Sequence, residues 1–331
     1  MKNYKLNFIV GITSGVIFVL LIVFTNGWTD LIHQMKNLKI QWIVVAMLAM
    51  VLCWIFEAKT LQSVIFLKKE NYKFKQAFRV TMIGQYFNSI TPFASGGQPM
   101  QLYALTKQGL GAGSSGSALM IKFIIYQSIL TIYSLILIFW KSAFFKSKMS
   151  NLFYLIAIGF TVNASVILFL IIFSKYRKLT HKLIMGSSKV LGKLKLVKDM
   201  SKLEVNINNN LDQFHENMEI VKHSKKLMIK AVMYTIAQLT IYFSIPYFIY
   251  LSFGMRGASI GSMIAGTAFV IMLTAFIPLP GAVGGAEGAF YMFFTLFFIS
   301  SNIMAAILLW RLITFYSCII FGFYAVMKKK H

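Results

Sequence analysis

The chain has 331 residues, of which 58% are hydrophobic and only 13% are charged. A soluble domain carries roughly 25% charged residues, so this chain lacks the polar side chains that a water-exposed surface needs. The excess of 33 Lys and Arg over 9 Asp and Glu fits basic loops beside an anionic leaflet, because no nucleic-acid-binding motif accompanies it. The composition therefore excludes a soluble enzyme and predicts a membrane protein with no nucleic-acid partner.

Six apolar stretches are long enough to cross a bilayer as helices, which takes about 20 residues. They are residues 8–26, 41–66, 115–140, 150–174, 229–252 and 303–327. The first stretch follows two lysines and precedes no cleavage-site pattern, so we interpret it as a retained span and not as a signal peptide. The sequence thus predicts an all-α polytopic membrane protein with six spanning helices.

Two further apolar stretches, 80–105 and 259–300, are interrupted by proline and glycine. Proline breaks the helical hydrogen-bond ladder, and glycine adopts backbone angles that other residues avoid. The predicted breaks are at Pro92, Gly96 and Gly97 in the first stretch and at Pro278, Pro280, Gly281, Gly284 and Gly285 in the second. We therefore expect each stretch to be a re-entrant helical hairpin, which enters and leaves the membrane on one side.

The basic residues determine how these two stretches run. Residues 175–230 contain thirteen Lys and Arg, and each basic residue near an anionic leaflet is worth about 1 kcal/mol. Placing this segment in the cytoplasm requires stretch 80–105 to return to its starting side, and a cytoplasmic tail at residues 328–331 requires the same of 259–300. The sequence thus predicts a multi-pass cell-membrane protein with cytoplasmic N- and C-termini.

The order span, span, hairpin, span occurs twice, in a first repeat at residues 1–140 and a second at 141–327. The two units start on opposite sides, which predicts an inverted repeat of the kind found in many transporters. Pro92-x3-Gly96-Gly97 and Pro280-x3-Gly284-Gly285 take equivalent places in the two units. The alternative is a chance match, because proline and glycine are common in membrane helices.

The second repeat contains a basic amphipathic insertion at residues 175–228. Its first part, 175–198, has eight basic residues and no acid, which is typical of an interfacial helix on anionic lipid. Its second part, 203–221, repeats apolar residues at intervals of four and three, which predicts an amphipathic helix. We expect this second helix to pack against the rest of the protein or a second subunit.

Three charged residues inside membrane segments are candidates for function, because a charge in hydrocarbon is costly. Glu57 lies in the second span, Glu287 at the tip of the second hairpin and Arg311 in the last span. We expect Glu287 and Arg311 to act together, either in contact with lipid or a proton or as a structural ion pair. Lys122 lies near the end of the third span, from where its side chain can snorkel to the interface.

Polar residues of the first hairpin extend this candidate lipid-binding and transport site. They are Gln85, Asn88, Gln98 and Gln101. Their alternative role is to satisfy the backbone groups that the helix break frees. The sequence shows no metal-ligand spacing and no catalytic set, so we predict no metal, no cofactor and no catalytic residue.

Three segments resemble the lysylphosphatidylglycerol synthase transmembrane region, the flippase-like half of the multiple peptide resistance factor. Pro280-Gly281-x2-Gly284-Gly285-x-Glu287-Gly288 resembles that family's Pro-Gly-Gly-x-Gly-x-x-Glu signature. Trp310-Arg311-Leu312-Ile313-Thr314-Phe315-Tyr316 resembles its aromatic-Arg-Leu-Ile-Thr segment, and Thr91-Pro92-x3-Gly96-Gly97-Gln98-Pro99 resembles its first hairpin. The resemblance covers nearly the whole chain.

This resemblance implies a bacterial lipid translocase that moves an anionic or lysyl-modified phosphatidylglycerol-type lipid between leaflets, linked to resistance against cationic antimicrobial peptides. Family members also carry the label phosphatidylglycerol lysyltransferase, an activity that takes a lysyl group from lysyl-tRNA. We see no segment that resembles a tRNA-using domain, so we expect transport, with lysyltransfer as the alternative. The implied partners are a membrane phospholipid and a second copy of the chain or a separate synthase.

Overall fold

A computed structural model describes residues 34–66, 71–142, 152–193, 200–274 and 277–327. These ranges form twelve α-helices, which confirms the predicted all-α class. The helices are α1 Ile40–Phe66, α2 Phe74–Ile90, α3 Gly97–Lys107, α4 Ala112–Trp140, α5 Leu152–Lys175, α6 Arg177–Lys193, α7 Met200–His223, α8 Lys225–Ser252, α9 Ile260–Thr274, α10 Gly285–Phe294, α11 Ile303–Arg311 and α12 Ser317–Met327. The predicted span at 8–26 and the tail at 328–331 lie outside the described residues.

Five helical segments within the described ranges are long and apolar enough to cross a membrane. They are Ile40–Ile65, Ala112–Trp140, Ile158–Lys175, Lys225–Ser252 and Ile303–Met327. Each coincides with one of the six predicted spans, so the chain is a multi-pass membrane protein. In the apolar 18-residue stretch of the last span, 72% of the stretch is buried inside the protein, compared with 17% in Ile158–Lys175. The last span is therefore central, and Ile158–Lys175 is peripheral.

The central span contains one irregular turn. Residues Leu312–Tyr316 between α11 and α12 form a π-helical turn, a feature that is frequent at functional sites. The hydroxyl of Thr314 donates to the carbonyl of Trp310 at 2.7 Å within it. The turn follows Arg311 directly and therefore shapes the end of the helix that carries this side chain.

Both interrupted stretches contain a helix, a short turn and a second helix packed against the first. In the first stretch α2 and α3 flank the 3₁₀ turn Pro92–Ala94, and in the second α9 and α10 flank the 3₁₀ turn Pro280–Ala282. The helices are thus broken at the predicted proline and glycine positions. The re-entrant course of these stretches and the inverted repeat of the two halves stay predictions.

The two turns begin with matching backbones and diverge after the third residue, where Ser95 is helical (φ −78°, ψ −19°) and Val283 is extended (φ −56°, ψ 139°). The residue before each proline is extended, with φ −120° and ψ 146° at Thr91 and φ −104° and ψ 148° at Leu279. Each proline is then followed by two residues in the left-handed region, Phe93 and Ala94 in one turn and Gly281 and Ala282 in the other. Left-handed angles are uncommon outside glycine, so their repetition at corresponding positions is a specific likeness.

Aromatic rings join the second broken pair to the central span. The rings of Phe269 on α9 and Phe293 on α10 have centroids 4.1 Å apart. Phe290, one turn away on α10, lies 4.8 Å from Trp310 on α11. These buried contacts set the position of α10 relative to Arg311, the residue that follows Trp310.

Helix α7 packs against the beginning of α4, as expected for the amphipathic part of the insertion. The amide of Gly113 donates to the Asn210 side-chain oxygen at 3.0 Å, and the Asn217 amide donates to the Ser114 hydroxyl at 3.1 Å. A Cβ atom at Gly113 would lie 2.3 Å from the backbone oxygen of Asn210. The glycines at the start of α4 therefore permit the close approach of α7.

Candidate functional site

Glu287 and Arg311 meet in the interior of the protein. The Nε atom of Arg311 donates to Oε1 of Glu287 at 2.7 Å, and the second carboxylate oxygen accepts the Gly284 amide at 2.7 Å. Glu287 lies in the first turn of α10, where the helix dipole favours a negative charge. Its carboxylate therefore closes the N-terminus of α10 and also binds the last residue of α11.

The guanidinium of Arg311 also fixes the second turn. Its terminal nitrogens donate to the carbonyl of Gly281 at 3.1 Å and to that of Ala282 at 3.4 Å. The group lies 5.2 Å from the ring centroids of both Trp310 and Phe315, a distance typical of cation–π contacts. Arginine has five N–H donors, and three of them are engaged in these hydrogen bonds with described residues.

Gly281 is the residue that lets the turn approach the arginine. Its φ is +60°, and a Cβ atom at this position would lie 2.0 Å from Cε2 of Phe315. Only glycine accommodates both the left-handed angle and the ring. The carbonyl of this residue is thereby held within reach of Arg311.

The ion pair is almost completely removed from solvent. Glu287 is 7% exposed and Arg311 is 4% exposed. Transferring two charges from water to the interior costs several kcal/mol per ion, which a good geometry and further hydrogen bonds offset. The four polar contacts of this cluster provide that geometry, so loss of one partner would leave the other charge uncompensated.

The first turn is held by its own side chains. The hydroxyl of Thr91 accepts the Gly96 amide at 2.8 Å, and the side-chain oxygen of Asn88 accepts the Gly97 amide at 3.0 Å. Asn88 thus satisfies a backbone group that the break frees, which was the alternative role considered for it. Within the described part of the chain, the half-buried Gln98 makes no side-chain hydrogen bond.

The two turns contact each other, and α2 also contacts the second turn. Although the ion pair behind them is buried, the turns reach the protein surface, where Phe93 is 61% exposed and Leu279 is 50% exposed. The junction between the turns thus combines an accessible rim with a charged interior.

Glu57 belongs to a second buried cluster. Its carboxylate lies 2.7 Å from the ammonium of Lys122 and accepts the side-chain amide of Gln85 at 2.5 Å. The position of Lys122 in the sequence suggested that its side chain extends to the membrane interface. In the structure it pairs with Glu57 instead. Apart from two opposite charges in separate apolar helices, no feature of the sequence predicts this pairing.

Gln101 is placed apart from the ion pairs. Its side chain lies over Gly84, where a Cβ atom would be 2.1 Å from the Gln101 amide nitrogen. That nitrogen donates to the carbonyl of Val80 at 3.4 Å, so Gln101 joins α3 to α2. Among the described residues, no hydrogen bond connects the Glu57 cluster with the Glu287 cluster.

Metal-binding chemistry has no support in the described ranges, where no group of three His, Cys, Asp or Glu residues lies close enough to hold an ion. The two cysteines, Cys53 and Cys318, are buried and free. The groups described beside the junction of the turns, Glu287 and Arg311, make ionic and hydrogen-bonding contacts.

The family model for the lysylphosphatidylglycerol synthase TM region matches residues 8–322 of this chain. A "UPF0104 membrane protein" of Archaeoglobus fulgidus is 24% identical over 307 residues, which cover 87% of this chain and 88% of that protein. The family match includes both broken stretches, the two buried ion pairs described above and the central span as far as residue 322.

Proposed function

Because the chain belongs to the family of the lysylphosphatidylglycerol synthase transmembrane region, we propose that it is a flippase for an anionic or lysyl-modified phosphatidylglycerol-type lipid. In this proposal the lipid moves between the leaflets of the cell membrane past the junction of the two turns. The observation that carries the proposal is the contact between the turns beside the buried Glu287–Arg311 pair.

The proposal includes an inverted repeat in which both broken stretches are re-entrant and both termini are cytoplasmic. The matching backbones at the start of the two turns support it, together with hydrogen bonds that recur in both turns, such as the following pair. The Ala94 amide donates to the Thr91 carbonyl at 3.2 Å, and the Ala282 amide donates to the Leu279 carbonyl at 2.9 Å. Broken helices that meet near the bilayer midplane are typical binding sites of repeat-built transporters.

The ion pair offers complementary groups for a lipid headgroup. A phosphate is a strong partner for a guanidinium, and the amino groups of a lysyl modification are partners for the Glu287 carboxylate. A headgroup that carries both would exchange the internal pair for two lipid contacts as it passes. Two of the five N–H groups of Arg311 make no hydrogen bond to a described residue, and a phosphate would bind them before Glu287 is released.

Outward movement of a lysyl-modified lipid would make the outer leaflet less negative. Cationic antimicrobial peptides are attracted by negative surface potential, so such transport would reduce their binding. The proposed role in peptide resistance follows from this charge effect.

Reconstitution into liposomes with acyl-chain-labelled lipids tests the proposal. A membrane-impermeant reductant bleaches only label in the outer leaflet, so a flippase extends bleaching into the inner-leaflet fraction. We expect extended bleaching with labelled phosphatidylglycerol or its lysyl derivative and much less with phosphatidylcholine. Bleaching no different from protein-free liposomes across this set of lipids would refute the proposal.

A further inference from the structure

Helix α6 is held in a fixed position at the end of a membrane span. It begins at Arg177, one residue after α5 ends at Lys175. The hydroxyl of Thr180 is oriented to the carbonyls of Phe173 and Tyr176 across the corner between the helices, and Thr180 is fully buried. The corner is therefore fixed by buried hydrogen bonds.

Two polar contacts hold one side of α6 against α7. Arg177 forms an ion pair with Asp212, and a ring nitrogen of His181 lies 2.8 Å from the side-chain oxygen of Asn208. Met185, two turns along, is buried on the same side, with 7% exposure. These contacts determine which face of α6 is directed away from the protein.

The outward face of α6 has two adjoining stripes. At about 100° per residue, Lys178 and Lys182 lie on one face of α6, and both are exposed, as is Lys175 at the end of α5. Leu179 and Leu183 form the neighbouring stripe and are 39% and 45% exposed. Exposed leucines beside lysines are the pattern of a helix that lies in the headgroup region, where apolar side chains dip inward and lysines extend to phosphates.

Charge favours one occupant for this face. Helix α6 contains no Asp or Glu, and the sequence continues the lysine spacing at Lys189 and Lys193. Since α5 is a candidate span that ends at Lys175, α6 starts at the level where that span leaves the hydrocarbon. We propose that the Lys175–Leu183 face is a binding surface for the headgroups of anionic phospholipids in that leaflet. This inference does not depend on lipid transport.

A fluorescent label at Leu183 measures the contact in the full chain. Leu183→Cys is labelled with a polarity-sensitive dye in lipid nanodiscs that contain phosphatidylcholine alone or a mixture with phosphatidylglycerol. Both native cysteines are buried, so the unsubstituted chain is the labelling control. We expect a lipid-borne nitroxide to quench the dye more strongly when phosphatidylglycerol is present, and 1 M salt to reduce the difference because its Debye length is only about 3 Å.

Two matched triple variants test the lysines. Replacing Lys175, Lys178 and Lys182 by glutamine should weaken the association of α6 with anionic lipid by roughly a hundredfold, at about fivefold per lysine. Replacing the exposed Lys73, Lys75 and Lys107 by glutamine removes the same charge elsewhere and should leave quenching unchanged. Thermal unfolding in detergent checks that both variants fold.

Three results would overturn the inference. Equal quenching with and without phosphatidylglycerol would show that the face does not select anionic lipid. An equal loss in both triple variants would show a general charge effect without a binding surface. Crosslinking of two chains through position 183, with no quenching by lipid, would assign the face to a second copy.

Discussion

Replacement of Arg311 by methionine would remove one partner of the buried ion pair while keeping an unbranched side chain. The substitution deletes the hydrogen bonds to Glu287, Gly281 and Ala282. It leaves the carboxylate with the Gly284 amide as its partner. Breaking a buried ion pair by removal of one partner costs about 3–5 kcal/mol, so we expect a loss of this size in the free energy of unfolding.

The double variant Arg311→Met/Glu287→Gln separates charge from packing. Because it buries no uncompensated charge, it should be more stable than Arg311→Met alone by about 1–3 kcal/mol, the cost of leaving a buried polar group without its partner. Unfolding in mixed detergent, followed by loss of helical circular dichroism, measures both variants. Arg256→Met, the same change at an exposed arginine, is the control and should have little effect.

Equal stability of the single and double variants would refute this reasoning. It would mean that the carboxylate is not stranded when the guanidinium is removed, and that the pair is not the element that holds the turn. A single variant as stable as the wild type would lead to the same conclusion.

Three further predictions concern the turns and the helix α7. Gly281→Ala should destabilise the protein strongly, because the new Cβ atom would meet the Phe315 ring and because φ is positive at this position. Gly288→Ala, which has open space around it, should instead stabilise α10 by up to about 1 kcal/mol. Thermal unfolding compares the two variants. Gly113→Ala should weaken the docking of α7 on α4, because the new Cβ atom would meet a backbone oxygen of α7. Hydrogen exchange in α7 should then be faster than in the wild type, and an unchanged rate would contradict this packing. Burial lowers the pKa of His215, so α7 docks with a neutral ring, and the docking should weaken as the pH falls below about 6.5. His215→Gln should remove this pH dependence of exchange in α7, and an unchanged slope would assign it to another group.

The positions of the helices could largely be predicted, because apolar length and helix breakers are local properties of the sequence. The predicted span 41–66 corresponds to Ile40–Phe66 and the span 115–140 to Ala112–Trp140. The breaks after Thr91 and Leu279 also follow from the prolines. In these cases the sequence contains the physical cause of the structure within a few residues.

The conformation of the turns and the long-range contacts could not be predicted in the same way. Phe93 and Ala94 take left-handed angles that their residue types disfavour, so the packed turns impose them. The pairing of Lys122 with Glu57 joins residues 65 positions apart, and no local pattern encodes it. The proximity of Glu287 and Arg311 was expected, because Glu287 lies at the tip of the second hairpin and Arg311 is the most deeply placed cation, in the span that follows.

The proposed lipid path past the two turns is tested most directly by mapping where a lipid headgroup touches the protein. Phosphatidylglycerol with a photoreactive headgroup would be crosslinked to the wild-type chain in liposomes, and the labelled peptides identified by mass spectrometry. We expect labelling at the two turns, around Phe93 and Leu279. We also expect this labelling to be lost in the folded Arg311→Met/Glu287→Gln variant. Labelling confined to the ends of the spanning helices in both proteins would contradict a lipid path through the junction of the turns.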